Sequence, residues 1–176
     1  TVTRDGLIEN FVRCLPDRVG VTGTYGKDYW VDSGPVRAIL ISPALPLSTG
    51  TRTYRAGSPE AAWLAGVIRQ ARANGQWVVV GMHKPCLTVG MHGCASSRDL
   101  TDLLVREGVD LVLAGHDHNY SRSHQLTGTT RAPVVVDRDQ QQISLAGEMP
   151  RGRLPHLPTG REMDVAVGEI DRRAIE

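Results

Sequence analysis

The chain has 176 residues, 40% hydrophobic and 22% charged, with a formal net charge of +1. That is enough for one domain with a real core and crowded for two. Lys and Arg are scattered, with no basic stripe interleaved with aromatics, so neither nucleic acid nor an anionic membrane surface is called for as a partner. No apolar run approaches the roughly 20 residues of a membrane helix. Thr1-Val2-Thr3-Arg4-Asp5-Gly6 form no signal peptide and read like the middle of a protein. A soluble protein is expected, and three cysteines, an odd count, leave its compartment open, secretion or the cell envelope included.

Asp28-Tyr29-Trp30-Val31-Asp32 and Val36-Arg37-Ala38-Ile39-Leu40-Ile41 are strand-like runs, and Ser33-Gly34-Pro35 between them is turn chemistry, which predicts a hairpin. Residues 42–57 carry Pro43, Pro46, Gly50 and Gly57 without periodicity and read as loop. A helix follows, with Ser58 as N-cap and Pro59 in its first turn. Trp63, Leu64, Val67, Ile68 and Ala71 line one face, and Asn74-Gly75 ends it. Trp77-Val78-Val79-Val80 is a continuous apolar strand, as expected when both faces are covered.

A second helix begins near Ser96-Ser97, presents Leu100, Leu103 and Leu104, and stops at Gly108. Residues 109–114 form another apolar strand. Helix, strand, helix, strand argues for a parallel α/β layer. Beyond Arg122 the signal fades: Pro133-Val134-Val135-Val136 reads as one more strand, residues 137–163 as irregular loop, and Val165 to Ile170 as a closing edge strand.

Two strand ends carry the chemistry. Residues 77–80 run into Gly81-Met82-His83-Lys84-Pro85, and residues 109–114 run into Gly115-His116-Asp117-His118. Open α/β sheets bind ligands at such C-terminal strand ends. A bare His-x-His serves equally as polar loop, but a glycine-turned pair beyond a buried strand, with a second strand-end histidine, points to metal. Imidazole suits zinc, iron and manganese. His83, His116 and His118 are therefore the candidate ligands.

His92 lies in the loop after His83, where it can donate to a substrate oxygen or protonate a leaving group. Tyr120 and Arg122 are candidates to face an anionic substrate, Arg122 through its planar fork. Asp117 reads either as an acceptor set behind the metal ligands or as a turn former. A competing reading makes His83, Cys86, His92 and Cys94 a four-ligand structural zinc site in a non-catalytic module with a single metal. Its central spacing of five residues is shorter than usual finger loops. A local Cys86–Cys94 disulfide or a buried thiol pair accounts for the cysteines more simply. His124 and His156 read as surface residues.

Val78-Val79-Val80-Gly81-Met82-His83-Lys84-Pro85, together with Gly115-His116-Asp117-His118-Asn119-Tyr120-Ser121-Arg122, resemble the last two motifs of calcineurin-like metallophosphoesterases, the purple acid phosphatase branch especially. The resemblance covers roughly residues 12–125. It implies an α/β fold, part of a two-sheet αββα sandwich with mixed sheets, with residues 1–176 as the C-terminal portion of one domain. It implies a metal-dependent hydrolase acting on small phosphate esters through two divalent or trivalent ions of iron, zinc or manganese. His83 and His116 would bind one ion and His118 the other, and His92, nine residues after His83, would contact the phosphate. The family's Asp-x-His, Gly-Asp and Gly-Asn-His-Asp/Glu motifs do not occur in residues 1–82, and Ser121 stands where purple acid phosphatases usually carry Glu. The chain is thus expected to need the missing N-terminal half of the same domain as its partner.

Overall fold

A computed structural model describes residues 20–123 together with Gly6, Leu126 and residues 164–167. Strand β1 (Thr22–Thr24) precedes the expected hairpin of β2 (Asp28–Ser33) and β3 (Val36–Leu40). Ser33 pairs with Val36, so the loop is Gly34-Pro35 alone, and Gly34 supplies the positive φ, 56°, that a two-residue turn needs. The segment read as loop holds a two-stranded ladder, β4 (Pro46–Leu47) and β5 (Gly50–Thr51).

Helix α1 (Pro59–Ala73) starts where its cap chemistry predicts: Ser58 Oγ accepts from the Ala61 amide at 3.1 Å. Strand β6 (Trp77–Met82), helix α2 (Arg98–Glu107) and strand β7 (Leu111–Ala114) follow. Ser97 caps α2 through the Leu100 amide at 3.2 Å, and Gly108 ends it in the left-handed conformation at φ 75°. Strands β8 (Ser121–Arg122) and β9 (Asp164–Val167) complete the sheet.

The sheet order is β1-β2-β3-β6-β7-β9-β8. Strands β3, β6, β7 and β9 run parallel, flanked by the antiparallel hairpin on one side and by β8 on the other. This is a mixed α/β architecture with a second, small sheet, as expected. Strand β9 departs from expectation. It was expected at the edge, but it lies between β7 and β8, because the short β8 just beyond the histidine motif takes the outer position. The expected strand at residues 133–136, the loop at 137–163, His124 and His156 lie outside the described residues.

The core forms where Ile39, Val78, Val80, Val112 and Ala114 meet Leu64, Ile68, Leu100 and Leu104 of the helices. Full burial of each Val, Leu or Ile side chain among them is worth ~1.5–3 kcal/mol. Trp77 to Val80 was expected to be covered on both faces. Among the described residues β6 instead alternates, with Val78 and Val80 buried and Val79 and Gly81 half-buried. On the same open face Leu113 of β7 is 46% exposed. A period of two hidden in an all-apolar run accounts for the difference.

Two buried charges brace the layer. Arg37 is 2% exposed. It donates to both carboxylate oxygens of Asp32 at 2.8 and 2.9 Å and to Gln70 at 2.8 Å, and its guanidinium lies 3.7 Å from the Trp30 ring centroid. Asp28 accepts from the Tyr54 hydroxyl and from the Ser42 amide and pairs with Arg52, which pins residues 42–54 against β2. Burial is the main cause pushing the Tyr54 hydroxyl up to about 12.

Candidate metal centre

The parallel strands β3, β6 and β7 end side by side, with Met82 opposite Ala114. A backbone bond from the Gly115 amide to the His83 carbonyl, 3.2 Å, carries the register one step past the strands. A Cβ at position 115 would lie 3.2 Å from His83 Nδ1, so glycine there lets the second motif come close under the first histidine. A cleft of about 890 Å3 opens at these strand ends, lined in part by Lys27, Tyr29, Ser42, His83, Lys84 and Leu113.

The His-x-His segment is not extended. His116 and His118 both adopt positive φ, 83° and 51°, and Asp117 between them is buried. For non-glycine residues this conformation is sparsely populated and costs about 1–3 kcal/mol, and such strain gathers at functional sites. Ala44, on the wall of the cleft, has φ 58°.

The structure brings three imidazoles together. His116 Nδ1 lies 3.3 Å from His83 Nε2, with the rings edge-on at 5.1 Å between centroids, and the His92 ring is 4.5 Å from that of His116. His118 is exposed two residues further on. Burial foremost, then the neighbouring His92 and His83, hold the His116 pKa below its ordinary value. That favours the neutral ring, the form that ligates metal. Tyr120 and Arg122 are exposed beyond the motif, Arg122 at the edge of the sheet in β8.

Does the donor set fit a metal? Two imidazole nitrogens each ~2.0–2.1 Å from one tetrahedral ion lie roughly 3.3–3.4 Å apart. The His83–His116 separation of 3.3 Å meets that requirement. Among the described residues, however, no group of three or more His, Cys, Asp or Glu side chains converges to hold an ion. The pair fits an ion's imidazole share, and charge-neutralising carboxylates have to come from elsewhere.

The four-ligand zinc reading fails. Cys86 and Cys94 are joined in a disulfide, so neither offers the thiolate that this ligand set requires. The bond closes the loop that carries His92. Inside that loop lies what sequence reasoning left undecided: the Asp117 carboxylate is an acceptor, taking the His92 amide at 3.0 Å and His92 Nδ1 at 2.7 Å on Oδ1, and the Thr88 hydroxyl on Oδ2. The Thr88 hydroxyl chiefly, then the His92 amide, hold the Asp117 pKa at about 2. No local pattern in the sequence signals these contacts, which span 25 to 29 residues.

A family model for calcineurin-like phosphoesterases matches residues 9–120. The chain belongs to the calcineurin-like phosphoesterase family. Two uncharacterised proteins of Mycobacterium tuberculosis, from strains CDC 1551 / Oshkosh and H37Rv, are each 31% identical to this phosphoesterase-family chain over 142 residues. Those matches take in 70% of this chain and 26% of each relative, so the chain spans about a quarter of their length. It is also similar to the solved structure of a purple acid phosphatase from yellow lupin (Lupinus luteus) seeds. That match has 20% identity and a TM-score of 0.43, covering 56% of this chain and 18% of the other. Within the described residues no helix is long and apolar enough to cross a membrane.

Proposed function

We propose that the chain is the histidine-bearing, C-terminal portion of a metal-dependent phosphoester hydrolase of the purple acid phosphatase type. The observation that carries the reading is the 3.3 Å approach of His83 Nε2 and His116 Nδ1 at the ends of adjacent parallel strands, in a chain of this family. His83 and His116 hold one ion and His118 a second, the metals being iron, zinc or manganese. When bound, the ions supply positive charge that polarises the phosphoryl group. The remaining ligands, chiefly carboxylates, belong to the missing N-terminal half of the domain. The chain's small share of its relatives' length supports that view.

The protein's own groups supply orientation and proton chemistry. His92 faces a phosphoryl oxygen or the leaving oxygen and, when its ring carries both protons, donates a hydrogen bond or a proton to it from Nε2. Tyr120 and Arg122 bind the phosphate ester in this reading, Arg122 through the planar fork suited to phosphate. The half-exposed ring of His92 beside His116 supports its assignment.

The test is hydrolysis of a nitrophenyl phosphate monoester and diester by the chain extended upstream, after loading with zinc, manganese or iron. Hydrolysis that falls to background in His116→Ala is expected. A metal-loaded extended chain that cleaves neither ester, or whose activity survives both His83→Ala and His116→Ala, overturns the reading.

A further inference from the structure

We infer that Asp117 is a positioning residue that locks the His92 ring in one tautomer and one orientation, with Nδ1–H on the carboxylate and Nε2 left to meet the ligand. This rests on the reading of His92 as the phosphate-facing histidine and goes beyond it by naming what aims the ring. The geometry is two-pointed. Asp117 Oδ1 takes both the backbone amide and ring Nδ1 of His92, at 3.0 and 2.7 Å, so the residue is held at its main chain and its side chain by one oxygen. A carboxylate accepts only, so Nδ1 must carry the hydrogen and Nε2 the lone pair of the neutral ring.

The carboxylate is itself fixed. Its Oδ2 takes the Thr88 hydroxyl, whose oxygen in turn accepts the Gly90 amide at 2.9 Å. A Cβ at Gly90 would run into the Asp117 carboxyl, so glycine permits the loop to close over it. Asp117 is buried while the His92 side chain is 46% exposed: the anchor is inside and the working ring outside. The Cys86–Cys94 bond closes the loop around these contacts. An aspartate that orients a histidine through Nδ1 is a recurring way to prepare a ring for proton transfer, and losing such a partner costs about 10–100-fold where the ring serves a metal.

The test is long-range proton–nitrogen correlation on the full, metal-free chain labelled at histidine nitrogens, at about pH 8, where an ordinary imidazole is neutral. The unaltered chain is expected to hold His92 wholly as the Nδ1–H form, and Asp117→Ala to release it to a mixture with Nε2–H. Should Asp117→Ala fail to fold, the unaltered chain and Gly90→Ala decide, the latter expected to lose the single tautomer because its methyl displaces the carboxylate. An Nε2–H ring in the unaltered chain, or an unchanged Nδ1–H ring in a folded Asp117→Ala, overturns the inference. In the extended, metal-loaded chain Asp117→Ala is expected to lower kcat about 10–100-fold with KM little changed. Absence of hydrolysis by the unaltered extended chain counts against the proposed function alone, since the nitrogen spectra decide the role of Asp117 without any turnover.

Discussion

Replacing Cys86 and Cys94 together by serine removes the covalent closure around His92, and its cost can be worked from the loop alone. The cystines are separated by 8 positions. Loop-closure entropy for that length predicts a loss of about 2.5 kcal/mol at 25 °C, arising in the unfolded chain, which regains the freedom the bond denied it. The folded loop keeps its other ties: the Ala95 and Ser96 amides on the Pro85 carbonyl at 3.0 and 3.3 Å, and the Asp117 contacts of Thr88 and His92. The double variant should therefore retain its native loop and lose stability globally. In urea, with a dependence of ~1–3 kcal/mol per molar, the midpoint should fall by about 0.8–2.5 M. The slope should not change. A midpoint within about 0.3 M of the unaltered chain, with fast exchange confined to the His92 amide, would rule out a global effect of the bond. It would mean that the loop opens on its own and that the bond stabilises only the loop.

Arg37→Ala removes the buried guanidinium from Asp32, Gln70 and Trp30 and is expected to cost about 3 kcal/mol in denaturant, a value at the low end for a buried pair because Asp32 can return to water. Arg37→Lys should recover little of it, since an ammonium cannot span both Asp32 oxygens. Ser97→Ala deprives the first turn of α2 of its acceptor and should lower stability by about 1 kcal/mol. Asp117, with its pKa held at about 2, stabilises the fold at any pH above the ordinary aspartate value of about 3.9 and loses that contribution as pH falls through about 2. Carboxyl carbon resonances should report that midpoint, and a midpoint near the ordinary value would count against the Thr88 and His92 hydrogen bonds.

Both helices were legible because their signals are local: Ser58-Pro59 and Ser97 cap as their chemistry dictates, and Gly108 ends α2 in the conformation that glycine accepts most readily. The β2–β3 hairpin was legible in Gly34-Pro35 for the same reason. What escaped was long-range. The burial of Arg37 depends on Gln70, 33 residues away, and the sheet position of β9 on its pairing with β7 and β8. Strands as short as β4, β5 and β8 carry too few residues for any period to show. The candidate site divides in the same way. Glycine and histidine at two strand ends marked where chemistry would sit, whereas the left-handed backbone of His116 and His118 and the hold of Asp117 on His92 exist only once the two loops meet.

If His83 and His116 share an ion, zinc titrated into the chain extended upstream, which carries the remaining ligands, must register at the ring nitrogens of both. A shared ion requires that His83 Nε2 and His116 Nδ1 respond together, with one common dissociation constant, and that His83→Ala abolishes the response at His116. Independent responses, or none at either nitrogen while zinc binds elsewhere, would contradict it.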